Sequence, residues 1–128
     1  MTPERPLRLV ALRALVALSW MALIYVLSDQ PQLPSVPAGW LDWAIKKGLH
    51  AAGYAVLARL WHRTLTTARV RRAAHWSLAI AALYAAGDEW HQTFVPGRHG
   101  HAADVAIDVA GAAAALAWLA LSTKERDR

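Results

Sequence analysis

Four long apolar stretches joined by short polar links constrain this chain more than any other feature. The first runs from Leu7 to Leu27 and carries no charge from Ala14 onward. The second, Trp43 to Trp61, includes Lys46, Lys47, His50 and Arg59. The third, Ala73 to Gly87, has no acid, lysine or arginine, and the fourth, Val105 to Ser122, has one charge, Asp108. A helix that crosses a bilayer needs about 20 mostly apolar residues at about 1.5 Å each. Stretches one and four meet that length directly. The third meets it only if its helix continues through Asp88 to about Phe94. The expectation is an all-α, polytopic membrane protein: one domain, 1–128, with four transmembrane helices over 7–27, 43–61, 73–94 and 104–122 in one compact bundle.

A soluble four-helix bundle requires a polar stripe on every helix. Stretches three and four are apolar on all faces for most of their length, as is the second half of stretch one. In 128 residues four such helices would not all be central. Mean hydropathy is only +0.22 because 28 residues are alanine, which scores low yet lets helices approach closely. The absence of cysteine excludes a disulfide scaffold, thiolate zinc and iron–sulfur sites.

The net charge of +5 points first to a polyanion or an anionic membrane. Its placement favours the membrane. Of the 14 basic residues, ten are Arg5, Arg8, Arg13, Arg63, Arg69, Arg71, Arg72, Lys124, Arg126 and Arg128, at the two ends and in the link after the second stretch. The segment Ser28 to Asp42 has no lysine or arginine, and Trp90 to Asp104 has only Arg98. By the positive-inside rule both termini and the arginine link are cytoplasmic, and the other two links face outward. Trp40, Trp43, Trp61, Trp76 and Trp90 fall near the expected helix ends, where indoles favour the interface. No small-x-small site follows Leu27 closely, so the first stretch is read as a retained span and not a cleaved signal. The arginine link lacks interleaved aromatic residues, and no nucleic-acid partner is expected.

The polar residues that insertion disfavours gather at the outward ends. Asp88, Glu89, His91 and Gln92 close the third stretch, and Asp104 and Asp108 open the fourth. Lys47, His50 and Tyr54 share one face of the second helix, Asp104, Asp108 and Gly111 one face of the fourth, and Asp88 and Gln92 one face of the third. The candidate ligand-binding set is Lys47, His50, Tyr54, Asp88, Glu89, Gln92, Arg98, Asp104 and Asp108. Asp108 lies a turn deeper than Asp104, at a depth where an ionised group costs about 2.5–3.5 kcal/mol unless paired. Arg98 and Lys47 are the cations the sequence offers it. No catalytic residue, metal ligand or cofactor is assigned.

The string Asp88-Glu89-x-x-Gln92-x-Phe94-Val95-Pro96-Gly97-Arg98, followed by Asp104, Asp108 and Gly111, resembles the VanZ-like family of bacterial membrane proteins. Lys47-x-x-His50-x-x-x-Tyr54 and Tyr25-x-Leu27-Ser28 fit the same pattern. The chain departs from it at Lys46, where members often carry Asp, at Asp108, where many carry Asn, and at Ala115, where a second glycine is common. The resemblance implies a multi-pass protein of the bacterial cytoplasmic (inner) membrane and cell envelope. The family is named for a protein associated with resistance to the glycopeptide teicoplanin, so a lipid-linked envelope precursor or a glycopeptide is the implied kind of partner.

Three functions are compatible with the residues. One is binding of an anionic lipid-linked or cell-wall-related molecule, with Arg98 as a planar two-pronged anion ligand and Lys47 beside it. Another is a metal-assisted or acid/base enzyme acting on a lipid phosphate, in which carboxylates with His50 or His91 hold a hard divalent cation. The third is a non-catalytic interaction protein whose polar cluster is structural. His91, His99 and His101 also raise zinc. Oligomeric state is open. The orientation has a direct check: a cysteine placed beside Arg98 labels from outside intact cells with an impermeant maleimide. One placed between Arg69 and Arg72 labels only after lysis, and the reverse pattern inverts the topology.

Overall fold

The structure, a computed structural model, describes residues 4–31 and 35–126. Arg128 lies outside these residues, as does the side chain of Arg5. Four helices follow one another: α1 (Glu4–Ser28), α2 (Gly39–Thr67), α3 (Ala73–Gln92) and α4 (Ala102–Arg126), with no strand among the described residues. Two of them, Pro6–Ser28 and Ala102–Arg126, are long and apolar enough to cross a membrane. Alanine and leucine are strong helix formers, and a helix satisfies its own backbone polar groups where no water is available. Hydroxyls within the helices follow the same economy. Thr64, Thr67, Ser77, Ser122 and Thr123 each donate to the carbonyl four residues earlier.

The third helix stops at Gln92, two residues short of the expected limit. The amides of Thr93, Phe94 and Val95 turn to the carbonyls of Trp90, His91 and Gln92, tightening the chain to a three-residue pitch. A turn follows at once. The Arg98 amide bonds the Val95 carbonyl at 3.1 Å, with Pro96 and Gly97 between. Gly97 has φ +78, the value a type II turn needs at that place and one that other residues resist. The turn aims Arg98 back at α1.

The interior is small and polar, and the large apolar side chains point outward. Ala17, Ala58, Ala81, Ala85 and Ala112 are fully buried, with Ser77, Tyr54, Leu57 and Asp108. Leu7, Leu12, Leu15, Leu83, Trp40, Trp90 and Leu121 are each more than half exposed. Water would oppose such an arrangement, whereas lipid is as apolar as leucine. The chain alternates direction. The end of α1, the start of α2, the end of α3 and the start of α4 meet at one end. At the other, the Arg13 guanidinium reaches the Arg63 carbonyl and the Thr67 hydroxyl.

The most extensive contact is between α2 and α4. Gly111 makes it possible: a Cβ there would stand 2.9 Å from the Ala51 Cα and closer still to the Ala51 carbonyl. Backbone on backbone is the tightest approach two helices make. α1 is held differently, by the Trp20 indole on the Gly53 carbonyl (2.9 Å) and the Tyr84 hydroxyl on the Met21 carbonyl (2.6 Å). Gly111→Ala is therefore expected to lower stability by about 1–3 kcal/mol, read as an earlier unfolding midpoint in detergent. Gly48→Ala, where a Cβ meets open space, sets the baseline.

Candidate functional site

One turn of helix periodicity explains why the polar residues converge. Lys47, His50 and Tyr54 form a ladder on α2, and the opposite rungs come from two other helices. Lys47 pairs with Asp104 of α4. One turn further, His50 Nδ1 lies 3.5 Å from Asp108 Oδ2. A further turn on, the Tyr54 hydroxyl donates to Asp88 Oδ2 on α3 at 3.3 Å. Asp88 also lies beside the Ser28 hydroxyl at the end of α1, and Gln92 Nε2 donates to Ser28 Oγ at 2.6 Å. Glu89 Oε2 accepts the His101 backbone amide at 3.0 Å. All nine residues of the candidate set thus stand at one end of the bundle, and Asp88, Glu89, Gln92, Asp104 and Asp108 are buried there.

The pairings differ from those the sequence offered. Asp108 faces His50, and Lys47 is taken by Asp104. Arg98 binds no carboxylate among the described residues. Its Nε donates to the Gln30 carbonyl at 2.9 Å and its Nη2 to the Leu27 carbonyl at 3.2 Å. It caps α1, whose last carbonyls lack partners in the helix and carry the negative end of the helix dipole. Sequence periodicity places residues on faces but says nothing of a loop side chain reaching a helix 70 positions away.

Of the three histidines raised for zinc, His91 lies in the last turn of α3, with Nε2 3.0 Å from Asp29 Oδ1 and its ring 4.8 Å from that of Tyr25. His101 contributes its backbone amide to Glu89. Among the described residues, His91, His99 and His101 form no grouping able to hold zinc. The grouping that does exist is His50, Glu89 and Asp108, with one ligand atom from each lying within 4.8 Å of the others.

A cleft of about 660 Å³ opens between α1 and α2 at this end. Its walls are apolar: Leu23, Ile24 and Leu27 on α1, and Leu49, Ala52 and Val56 on α2. Its end is polar, lined by Lys46, Lys47, His50, Glu89, Arg98 and Asp104. Sequence reasoning left several contributors out of the candidate set. Ser28 ties α1 to Gln92, and Trp20 lines the cleft, but neither carries a charge to draw notice. Asp42 and Lys46 also line it and pair with each other at 2.7 Å. That ammonium, with the Val36 amide at 3.0 Å, holds the Asp42 carboxyl below the ordinary carboxylate range.

A model of the family described as VanZ/LLP1 matches residues 7–122. The chain belongs to the VanZ/LLP1 family. That match takes in most of α1 and α4, all of α2 and α3, and every residue of the site. No curated protein and no solved structure matches the chain. Membership of a membrane-associated family agrees with the two membrane-length helices and the outward-facing apolar surface.

The Lys47–Asp104 pair gives a quantitative check. Lys47→Met leaves the Asp104 carboxylate, whose side chain is 12 % exposed, without its counter-ion. The expected cost is roughly 3 kcal/mol in detergent unfolding, the low end for a pair that is not wholly buried. The double variant Lys47→Met/Asp104→Leu is expected to recover most of that loss, because removing both charges removes the unpaired one.

Proposed function

We propose that this VanZ/LLP1 protein crosses the bacterial cytoplasmic membrane four times, with both termini inside, and binds an anionic lipid-linked envelope molecule in the cleft between α1 and α2. The observation that carries this reading is the cleft's two-part lining. Apolar walls from α1 and α2 lead to a polar end, matching a molecule with a hydrocarbon chain and a charged, hydroxylated head. Leu23 on α1 and Val56 on α2 both line the cleft and are exposed, so the chain enters from the side between these helices and the head settles at the outer interface.

The polar end suits a head that carries both an anion and hydroxyls. Lys46, Lys47 and Arg98 line it with Asp42, Glu89 and Asp104, three cations against three carboxylates. Arg98 has five N–H donors and spends two on carbonyls at and just beyond the end of α1, and each ammonium keeps donors beyond its one carboxylate. Those spare donors take a phosphate or carboxylate, and the acids take sugar hydroxyls. A bare anion meets equal repulsion and gains little, which favours a sugar-bearing precursor over a simple lipid phosphate. The glycopeptide association of the family's name fits a cell-wall precursor as the molecule concerned.

The rival reading is a cluster that only holds helices together. Native membrane disks extracted with polymer separate the two. Lipids that copurify with the wild type are expected to be enriched several-fold in one anionic lipid-linked species over bulk membrane. Gly53→Leu, which fills cleft-facing space where a Cβ meets no neighbour, is expected to abolish that enrichment in a protein that still unfolds cooperatively. Gly48→Leu, outside the cleft, is expected to retain it. A wild-type lipid profile identical to bulk membrane refutes the binding function.

A further inference from the structure

We infer that His50, Glu89 and Asp108 form a binding site for a first-row divalent cation that takes one nitrogen and two oxygen ligands, such as Zn²⁺ or Mn²⁺. The site stands on its own geometry and is independent of lipid binding.

Two buried oxygens carry the inference. Asp108 is fully buried and Glu89 is 5 % exposed. One oxygen of each is already turned to a neighbour: Asp108 Oδ2 toward His50, and Glu89 Oε2 to the His101 amide. Asp108 Oδ1 and Glu89 Oε1 have no hydrogen-bond partner and are closed off from solvent. A buried carboxylate with a bare oxygen is costly, so each such group calls for something that satisfies it. Lys47, a nearby cation, is already engaged by Asp104.

The separations fit coordination better than hydrogen bonding. His50 Nδ1 to Asp108 Oδ2 is 3.5 Å, long for a hydrogen bond. Two ligands held tetrahedrally at 2.0–2.2 Å from a zinc ion stand about 3.4 Å apart. One ligand atom from each of the three residues lies within 4.8 Å of the others, so an ion at their centre draws them in by less than about 1 Å. Imidazole with two carboxylates suits Zn²⁺ or Mn²⁺, whereas Mg²⁺ and Ca²⁺ prefer oxygen throughout. Two carboxylates also neutralise a divalent charge. His50 and Glu89 both line the cleft, which supplies the route in and leaves a coordination position facing the space where a ligand sits.

The rivals are a proton shared by Glu89 and Asp108, or a buried water. The full chain, purified in detergent and stripped with chelator, is titrated with Zn²⁺ or Mn²⁺ alone, then desalted for elemental analysis. The wild type is expected to retain about one ion per chain and to gain about 5 °C in unfolding midpoint. Glu89→Gln and Asp108→Asn are each expected to weaken binding at least about tenfold. His91→Ala, on the Asp29 contact apart from the site, is expected to bind as the wild type does. Co²⁺ added to the wild type reads the site without any variant, through visible absorption bands of a nitrogen–oxygen ligand set. A wild type that retains no ion and gives no Co²⁺ bands overturns the site, as does undiminished retention in folded Glu89→Gln/Asp108→Asn.

Discussion

Four acids enclosed at one end of a helical bundle must find partners, and that requirement determines how the helices of this protein meet. In lipid, apolar side chains gain nothing by leaving it for one another, so helix association rests on close backbone approach and on polar groups with nowhere else to go. Both are present. Gly111 presses α4 against α2 at Ala51, and on the same face of α4 Asp104 and Asp108 meet Lys47 and His50. Tyr54 then reaches Asp88 on α3, and Gln92 reaches Ser28 on α1. These contacts link all four helices.

The two ends of the bundle do different work. At the basic end Arg13 ties α1 to the last turns of α2, and Arg59 lies 5.8 Å from the centre of the Trp118 ring. These contacts fasten helices, and the one buried polar atom without a partner toward that end, among the described residues, is the neutral Trp61 indole nitrogen. At the acidic end the same fastening leaves two carboxylate oxygens unmet and a cleft beside them. A network built only for adhesion would satisfy its members fully, since each unmet buried group subtracts from stability. The incomplete network is the reason to look for a ligand there.

Helix number and approximate extent were legible because long apolar runs separated by polar links leave few alternatives, and because Arg72 and the Pro96–Gly97 pair mark breaks. Seven of the nine candidate residues were legible because three- and four-residue spacing puts them on common faces, and Glu89 and Arg98 were legible as charges beside them in the chain. The pairing was not. Arg98 and Lys47 looked like partners for Asp108 because charge was the one criterion available, whereas the distances favour His50, a turn deeper on α2 than Lys47. Arg98, at the tip of a type II turn, reaches backbone carbonyls, and no side-chain pattern marks a carbonyl as a partner. The contributions of Trp20 and Ser28 were equally hidden.

The sequence by itself determined four helices, the clustering of basic residues at the termini and in one link, and a polar set on matching faces, because these follow from hydropathy and the 3.6-residue turn. The tertiary structure alone decided which rung of α2 meets which acid. Register between two helices depends on where their backbones touch, and that contact is the one Gly111 makes with Ala51. From it come the Lys47–Asp104 pair and the approach of His50 to Asp108.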